Sequence, residues 1–154
     1  MADNVAMRVP LTDFDAAIVD LDGTMVDKLG DFAEALNRML AELGLGCVER
    51  AQIERMVGKG SEHLIRSVLA VVGADATRYD AAWASYQRHY MAINGQFSAV
   101  YPGVLAGLSA LQARGLKLAC LTNKPTAFAW PLLVAKGLDG FFGWTFGGDA
   151  FERK

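Results

Sequence analysis

Asp20 and Asp22 stand two residues apart at the end of the apolar run Ala16-Ala17-Ile18-Val19, with Gly23-Thr24 behind them. A short apolar run bounded by glycine fits a buried strand of a parallel sheet. Ligands in such sheets gather beyond the carboxyl ends of the strands, so the two acids stand where chemistry is expected. Glycine lets the chain turn sharply after the second acid. Two carboxylates held this close repel unless they share a cation or a proton, and hard oxygen donors suit Mg²⁺. The spacing points to an acidic site for a metal and a phosphate. A calcium loop begins with similar acids, but with Asp20 as its first position Met25 falls where glycine is required and Asp31 where the bidentate glutamate belongs. A solvated Asp-Gly turn is the plain alternative.

A second strand terminus repeats the pattern a hundred residues later. Leu116 to Leu121 reads as a strand that ends in Thr122-Asn123-Lys124-Pro125. The Thr122 hydroxyl and the Asn123 amide can both hydrogen-bond phosphate oxygens. The same pair would also serve as an N-cap for a helix from Thr126 onward.

The elements that must position these groups follow from periodicity. Leu29, Phe32, Ala33, Leu36, Met39, Leu40 and Leu43 recur at helical spacing up to Gly44, as an amphipathic helix with a C-terminal glycine should. Ser61 is placed to cap a second helix running to Gly73, and Tyr79, Trp83, Tyr86, Tyr90 and Ile93 mark a third before Asn94-Gly95. The aromatic stripe reads as a packing face. His63 and Arg66 read as residues of a solvated face, and His89, without acidic or Cys partners at metal-ligand spacing, as an ordinary helix residue. Residues 28–97 are thus a helical insertion between two strands. Val104 to Ala113 is the next helix, and Thr126 to Lys136 another in which Pro131 predicts a kink or a late start. Trp144-Thr145-Phe146 is a third short strand. Alternating strands and helices argue for a parallel α/β sheet.

Composition narrows the setting. The 154 residues are 53% hydrophobic, which is ample for a core. A net charge of -2 carries no basic footprint, so nucleic acid is not an expected partner. Cys47 and Cys120, far apart in apolar surroundings, read as reduced thiols. No stretch reads as a signal peptide or a membrane span, so no membrane partner is expected and a cytoplasmic location follows by default.

Asp20-Leu21-Asp22-Gly23-Thr24-Met25-Val26-Asp27 resembles the first signature motif of the haloacid dehalogenase superfamily, and Leu121-Thr122-Asn123-Lys124 resembles the second. Tyr101-Pro102-Gly103-Val104, Gly58-Lys59-Gly60 and the run 137–142 also match, in order, the phosphoglycolate phosphatases of that superfamily. The resemblance implies a Rossmann-like parallel core, residues 1–26 and 98–154, with an all-helical cap at 27–97. It implies a Mg²⁺-dependent phosphatase of a small phosphorylated metabolite, 2-phosphoglycolate first. Asp20 would be the nucleophile that becomes an aspartyl-phosphate, and the Asp22 side chain the acid and base. A carboxylate oxygen of Asp20 and the main-chain carbonyl of Asp22 would hold the metal. Thr122 and Asn123 would hold the phosphoryl oxygens. Asp27 would belong to the hinge, and the loop Gly58-Lys59-Gly60 would reach an anionic substrate from the cap, against the plain alternative of solvent exposure. Dehalogenases need no acid at the position of Asp22, so phosphate-ester chemistry is implied.

Two features depart from the family pattern. Gly148-Asp149 looks like its last metal motif, but Arg153 stands where a further acid is required, so Asp149 reads as a strand-end residue. The chain ends at Lys154, about where the family places a phosphate-binding lysine, with further metal carboxylates beyond it. The expectation is a fragment with an incomplete core, little activity alone, and an open sheet edge suited to self-association. A sugar-phosphate mutase of the same superfamily and a non-catalytic binding domain are the alternatives.

Overall fold

A computed structural model describes residues 14–150; Lys154 lies outside the described residues. The chain runs β1 (Ala16–Val19), β2 (Val26–Asp27), α1 (Leu29–Glu42), α2 (Arg50–Glu54), α3 (Ser61–Val71), α4 (Tyr79–Ile93), β3 (Ala99–Val100), α5 (Val104–Ala113), β4 (Lys117–Leu121), α6 (Thr126–Ala135) and β5 (Trp144–Phe146). β1, β4 and β5 form a parallel sheet in that order. β2 and β3 pair antiparallel, Val26 with Val100 and Asp27 with Ala99, so the two ends of the helical insertion leave as one ribbon.

Two apolar clusters follow from this plan. The helical one gathers Leu36, Met39, Ile53, Ile65, Tyr86 and Ile93 from α1 to α4, each almost wholly buried. The second gathers Leu21, Met25, Leu118, Cys120, Leu132 and Leu138 around the sheet. The apolar stripe of α1 is what the periodicity demanded, since residues three and four apart share a face. Gly44 ends it with φ 68°, the left-handed conformation in which the Leu45 amide can reach back to the Leu40 carbonyl at 2.8 Å.

Some expectations need correction. β1 lies at the edge of the described sheet rather than buried within it, and Ile18 is 70% exposed, because β4 covers only one of its sides. Gly60, not Ser61, is the N-cap of α3; Ser61 already has its place inside the helix. Cys47 is exposed, while Cys120 is buried, and both are free thiols. α6 begins at Thr126 and carries Pro131 inside it, so the start is not delayed. α2 was not anticipated. It is held by a capping box in which Glu49 and Gln52 exchange side-chain and backbone hydrogen bonds.

One contact where the ribbon meets the helices predicts a sign. Gly30, in the first turn of α1, lies so close to the linker that a Cβ would come 1.9 Å from the Phe97 carbonyl oxygen. Glycine to alanine inside a helix ordinarily gains stability. Here the Cβ meets backbone, and Gly30→Ala is expected to cost about 1–3 kcal/mol through overpacking. A lowered thermal unfolding midpoint is the readout, and a raised one would show that the linker moves aside freely.

Candidate active site

The register of β1 on β4 sets the site. Val19 pairs with Cys120, so Asp20 and Thr122 leave their strands side by side. The turn after Asp20 is fixed by backbone bonds: the Met25 and Val26 amides donate to the Leu21 carbonyl, and Gly23 donates to Val26 at 2.9 Å. Leu21 and Met25 anchor that turn in the sheet cluster, with Asp20 just before it and Asp22 within it.

Each acid has a different environment. Asp20 is exposed and accepts a hydrogen bond from the Thr24 hydroxyl at 3.2 Å. Asp22 is half-buried; its Oδ2 accepts from the Lys124 ammonium at 3.2 Å. Its Oδ1 is buried and has no hydrogen-bond partner among the described residues. An orphaned buried oxygen is costly, which makes it a natural place for a substrate or a water to bind.

Thr122 is buried at the end of β4, its amide bonded to the Phe146 carbonyl of β5 at 3.0 Å and its hydroxyl accepting from the Lys124 amide at 3.3 Å. Asn123 beside it is exposed. The helix-cap alternative for this pair does not hold. Pro125 is the N-cap of α6, and Asp149 accepts from the Thr126 amide at 2.8 Å and the Thr126 hydroxyl at 2.6 Å. Asp149, expected as a strand-end residue, therefore ties the end of β5 to the first turn of α6.

Sequence reasoning missed the cations. Lys124 is 8% exposed and donates to both Asp22 and the Tyr90 hydroxyl of α4. Lys28 is likewise buried, paired with the buried Asp31 and donating to Asn94 at 3.1 Å. Both ammonium groups lie against the Tyr90 ring, Lys28 at 5.1 Å and Lys124 at 4.7 Å from its centroid. Burial, then repulsion from Lys124, pushes Lys28 down to about 8 despite its bond to Asp31. Burial also pulls Lys124 below the usual lysine range, against the opposing charge of Asp22. Cys120, beneath the acids, is pushed up to about 11 by burial and by the charges of Asp20 and Asp22, so its thiol stays protonated at neutral pH. The available signal was a lysine directly after the first motif, at 28, and one closing the second, at 124; their burial was not legible.

The loop Gly58-Lys59-Gly60 is exposed between α2 and α3. Among the described residues no hydrogen bond or ion pair joins Lys59 to Asp20, Asp22 or Thr122. His63 and Arg66 lie on the exposed face of α3, as expected. His89 meets an acid after all: its Nε2 lies 2.8 Å from Glu42 of α1.

The donor set fits Mg²⁺. The Asp20 carboxylate and the main-chain carbonyl of Asp22 are hard oxygens on one turn, and the ammonium of Lys124 keeps a cation away from Asp22 Oδ2. No group of three His, Cys, Asp or Glu side chains forms a metal cage among the described residues. Mg²⁺ does not need one, because it keeps several waters and takes one or two carboxylates together with substrate phosphate.

Comparison with known proteins agrees with this geometry. The chain is 44% identical over 140 residues to the plasmid-encoded phosphoglycolate phosphatase of Cupriavidus necator, a match that takes in 90% of this chain and 60% of that protein. It is 39% identical over 151 residues to the phosphoglycolate phosphatase of Nitrosospira multiformis, with 96% and 66% covered. The chain thus spans about three-fifths to two-thirds of the length of these relatives. The crystal structure of a predicted phosphoglycolate phosphatase from Haemophilus somnus superposes with a TM-score of 0.81 at 28% identity, over 94% of this chain and 67% of that one. No helix among the described residues is long and apolar enough to cross a membrane. The model of haloacid dehalogenase-like hydrolases matches residues 14–154, and with the paired acids at the end of β1 this chain belongs to the haloacid dehalogenase-like hydrolase family.

Proposed function

We propose that this chain carries the nucleophile, the proton-transfer acid and part of the phosphate site of a Mg²⁺-dependent phosphatase whose substrate is a small phosphorylated metabolite, 2-phosphoglycolate first. The observation that carries the reading is the asymmetry of the two acids. Asp20 is open to an incoming phosphate, whereas Asp22 has one oxygen tied to Lys124 and the other buried and unpartnered.

An Asp20 oxygen attacks phosphorus while the ester P–O bond breaks, and Asp22 gives its proton to the departing oxygen. Asp22 then takes a proton from water as that water attacks the aspartyl-phosphate, releasing phosphate and restoring the Asp20 carboxylate. Thr122 and Asn123 would hold the phosphoryl oxygens as charge spreads over them. Mg²⁺, bound by Asp20 and the Asp22 carbonyl, would neutralise phosphate charge. We assign residues 27–97 to a cap and residues 1–26 and 98–154 to the core. The separate apolar cluster of the helices and the paired linkers of the ribbon support that division. A cap that excludes bulk solvent protects an acyl-phosphate. The loop Gly58-Lys59-Gly60 would act as its substrate contact.

The test is phosphate release from 2-phosphoglycolate with Mg²⁺ and with excess chelator. It is run on this chain and on the chain joined to the part of the Cupriavidus protein that the match leaves out. Release that requires Mg²⁺ in the joined protein is expected, with this chain alone near background. A sugar phosphate that is isomerised instead of hydrolysed would favour mutase chemistry, and no metal-dependent release from either protein would overturn the reading.

A further inference from the structure

Among the described residues, one side chain links Asp22 to the helical unit by hydrogen bonds. Lys124 Nζ donates to Asp22 Oδ2 at 3.2 Å and to the hydroxyl of Tyr90, which belongs to α4. A lysine ammonium on a four-carbon stem has little preferred geometry of its own. Two acceptors on different elements give it one. The backbone of Lys124 is held as well, its amide donating to the Thr122 hydroxyl and its carbonyl accepting from the Gly148 amide at 2.8 Å.

Tyr90 is a rigid acceptor. Its ring stacks on Tyr86 at 5.5 Å and on Phe32 at 5.7 Å between centroids, and Phe128 of α6 lies against it at 5.5 Å. Burial, with the neighbouring Tyr86 and acids, raises its hydroxyl far above the range in which it would ionise. Asp22, for its part, can rotate about its terminal bond, so fixing Oδ2 also fixes Oδ1, the buried oxygen that has no partner among the described residues.

We propose that Lys124 is the positioning residue of Asp22, and that Tyr90 holds Lys124 in that role, so that a residue of the helical unit orients the proton-transferring carboxylate of the sheet unit. The inference rests on the reading of Asp22 as acid and base. It gives the aromatic stripe of α4 a second task besides packing, and it gives Lys124 a task distinct from phosphate binding by Thr122 and Asn123.

Tyr90→Phe keeps the stacked ring and removes only the hydroxyl; Lys124→Met keeps the stem and removes the donors. In the protein that turns over 2-phosphoglycolate, Tyr90→Phe is expected to lower kcat about tenfold with KM within about twofold. In a Lys124→Met background the same change is expected to have no further effect on kcat. A Tyr90→Phe effect confined to KM, or one of equal size in both backgrounds, would assign the hydroxyl to packing or substrate contact and overturn the proposal. On the 154-residue chain, Asp22→Asn and Tyr90→Phe are measured singly and together by thermal unfolding. Their midpoint shifts are expected to be non-additive by about 2–4 °C and additive once Lys124 is Met. Additivity with Lys124 present overturns the coupling. The two readings fail separately. Absent phosphate release with intact coupling sinks the catalytic assignment alone, and release that depends on Asp20 without coupling sinks only the positioning role.

Discussion

Asp20→Asn is expected to cut phosphate release from 2-phosphoglycolate by at least about 10³-fold, because the amide cannot form the acyl-phosphate on which the two-step route depends. The effect should appear in whichever form of the protein carries turnover, this chain or its extension to the relatives' length. Asp20 is exposed, and among the described residues its side chain takes part in one hydrogen bond, from the Thr24 hydroxyl, so the substitution should leave the unfolding midpoint nearly unchanged. That separation of activity from stability is the useful part of the result. Loss of a phosphorylated protein species under acid quench would identify the missing step as formation of the intermediate. Turnover that survives the substitution would mean that Asp20 is not the nucleophile.

Asp31→Ala is expected to do the reverse, with a large loss of stability. The Asp31 carboxylate is wholly buried and accepts from the Lys28 ammonium, from the Gly95 amide at 2.8 Å and from the Phe97 amide at 2.7 Å. It therefore clasps both arms of the linker, the segment entering α1 and the segment leaving α4. Removing it leaves a buried cation without its carboxylate and two amides unpaired, a loss of about 3–5 kcal/mol, or roughly 10 °C in unfolding midpoint for a chain of this size. Lys28→Met combined with Asp31→Leu should recover part of that loss, because the unpaired charge is gone. Full recovery is not expected, since the Gly95 and Phe97 amides remain orphaned.

The pH dependence of that clasp has a definite sign. Burial raises the Asp31 carboxyl, but the bond and charge of Lys28 and the two amides outweigh it, holding the group below its ordinary value of 3.8. A depressed folded-state pKa contributes stability that is present above 3.8 and lost as pH falls through the folded value. The midpoints of the native protein and Asp31→Ala should therefore converge at the acid end of a titration. Lys28 has the same sign in a higher pH window. With its folded pKa near 8 and its ordinary value 10.5, the unfolded chain holds a proton that the folded chain sheds, and that group adds stability as pH rises between them. A gap between the two proteins that persists unchanged to acid pH would contradict the clasp.

Much of this molecule was legible from spacing. The stripe beginning at Leu29 and the aromatic series from Tyr79 placed α1 and α4, because burial against a single partner face imposes a helical period. The Trp144–Phe146 strand and the α5 boundaries also follow from local pattern. α2 was missed because five residues carry too little periodicity, and its cap uses Glu49, a residue not among the usual N-caps. The burial of β1 was misjudged because an apolar run reports a side chain's preference and not which neighbours cover it.

By itself the sequence determined which groups come together at the end of β1 and β4. Asp20, Asp22 and Thr122 follow strands whose parallel pairing brings their carboxyl ends to one edge, and a short rigid strand transmits that placement directly. Only the tertiary structure decided what surrounds those groups. Lys124 and Tyr90 are 34 residues apart and Lys124 and Asp22 are 102 apart, yet one ammonium joins them. Such contacts depend on how the helical unit seats against the sheet. No local pattern encodes them, because a lysine that is solvated and a lysine that is buried against a carboxylate have the same neighbours in sequence and differ only in what the fold packs over them.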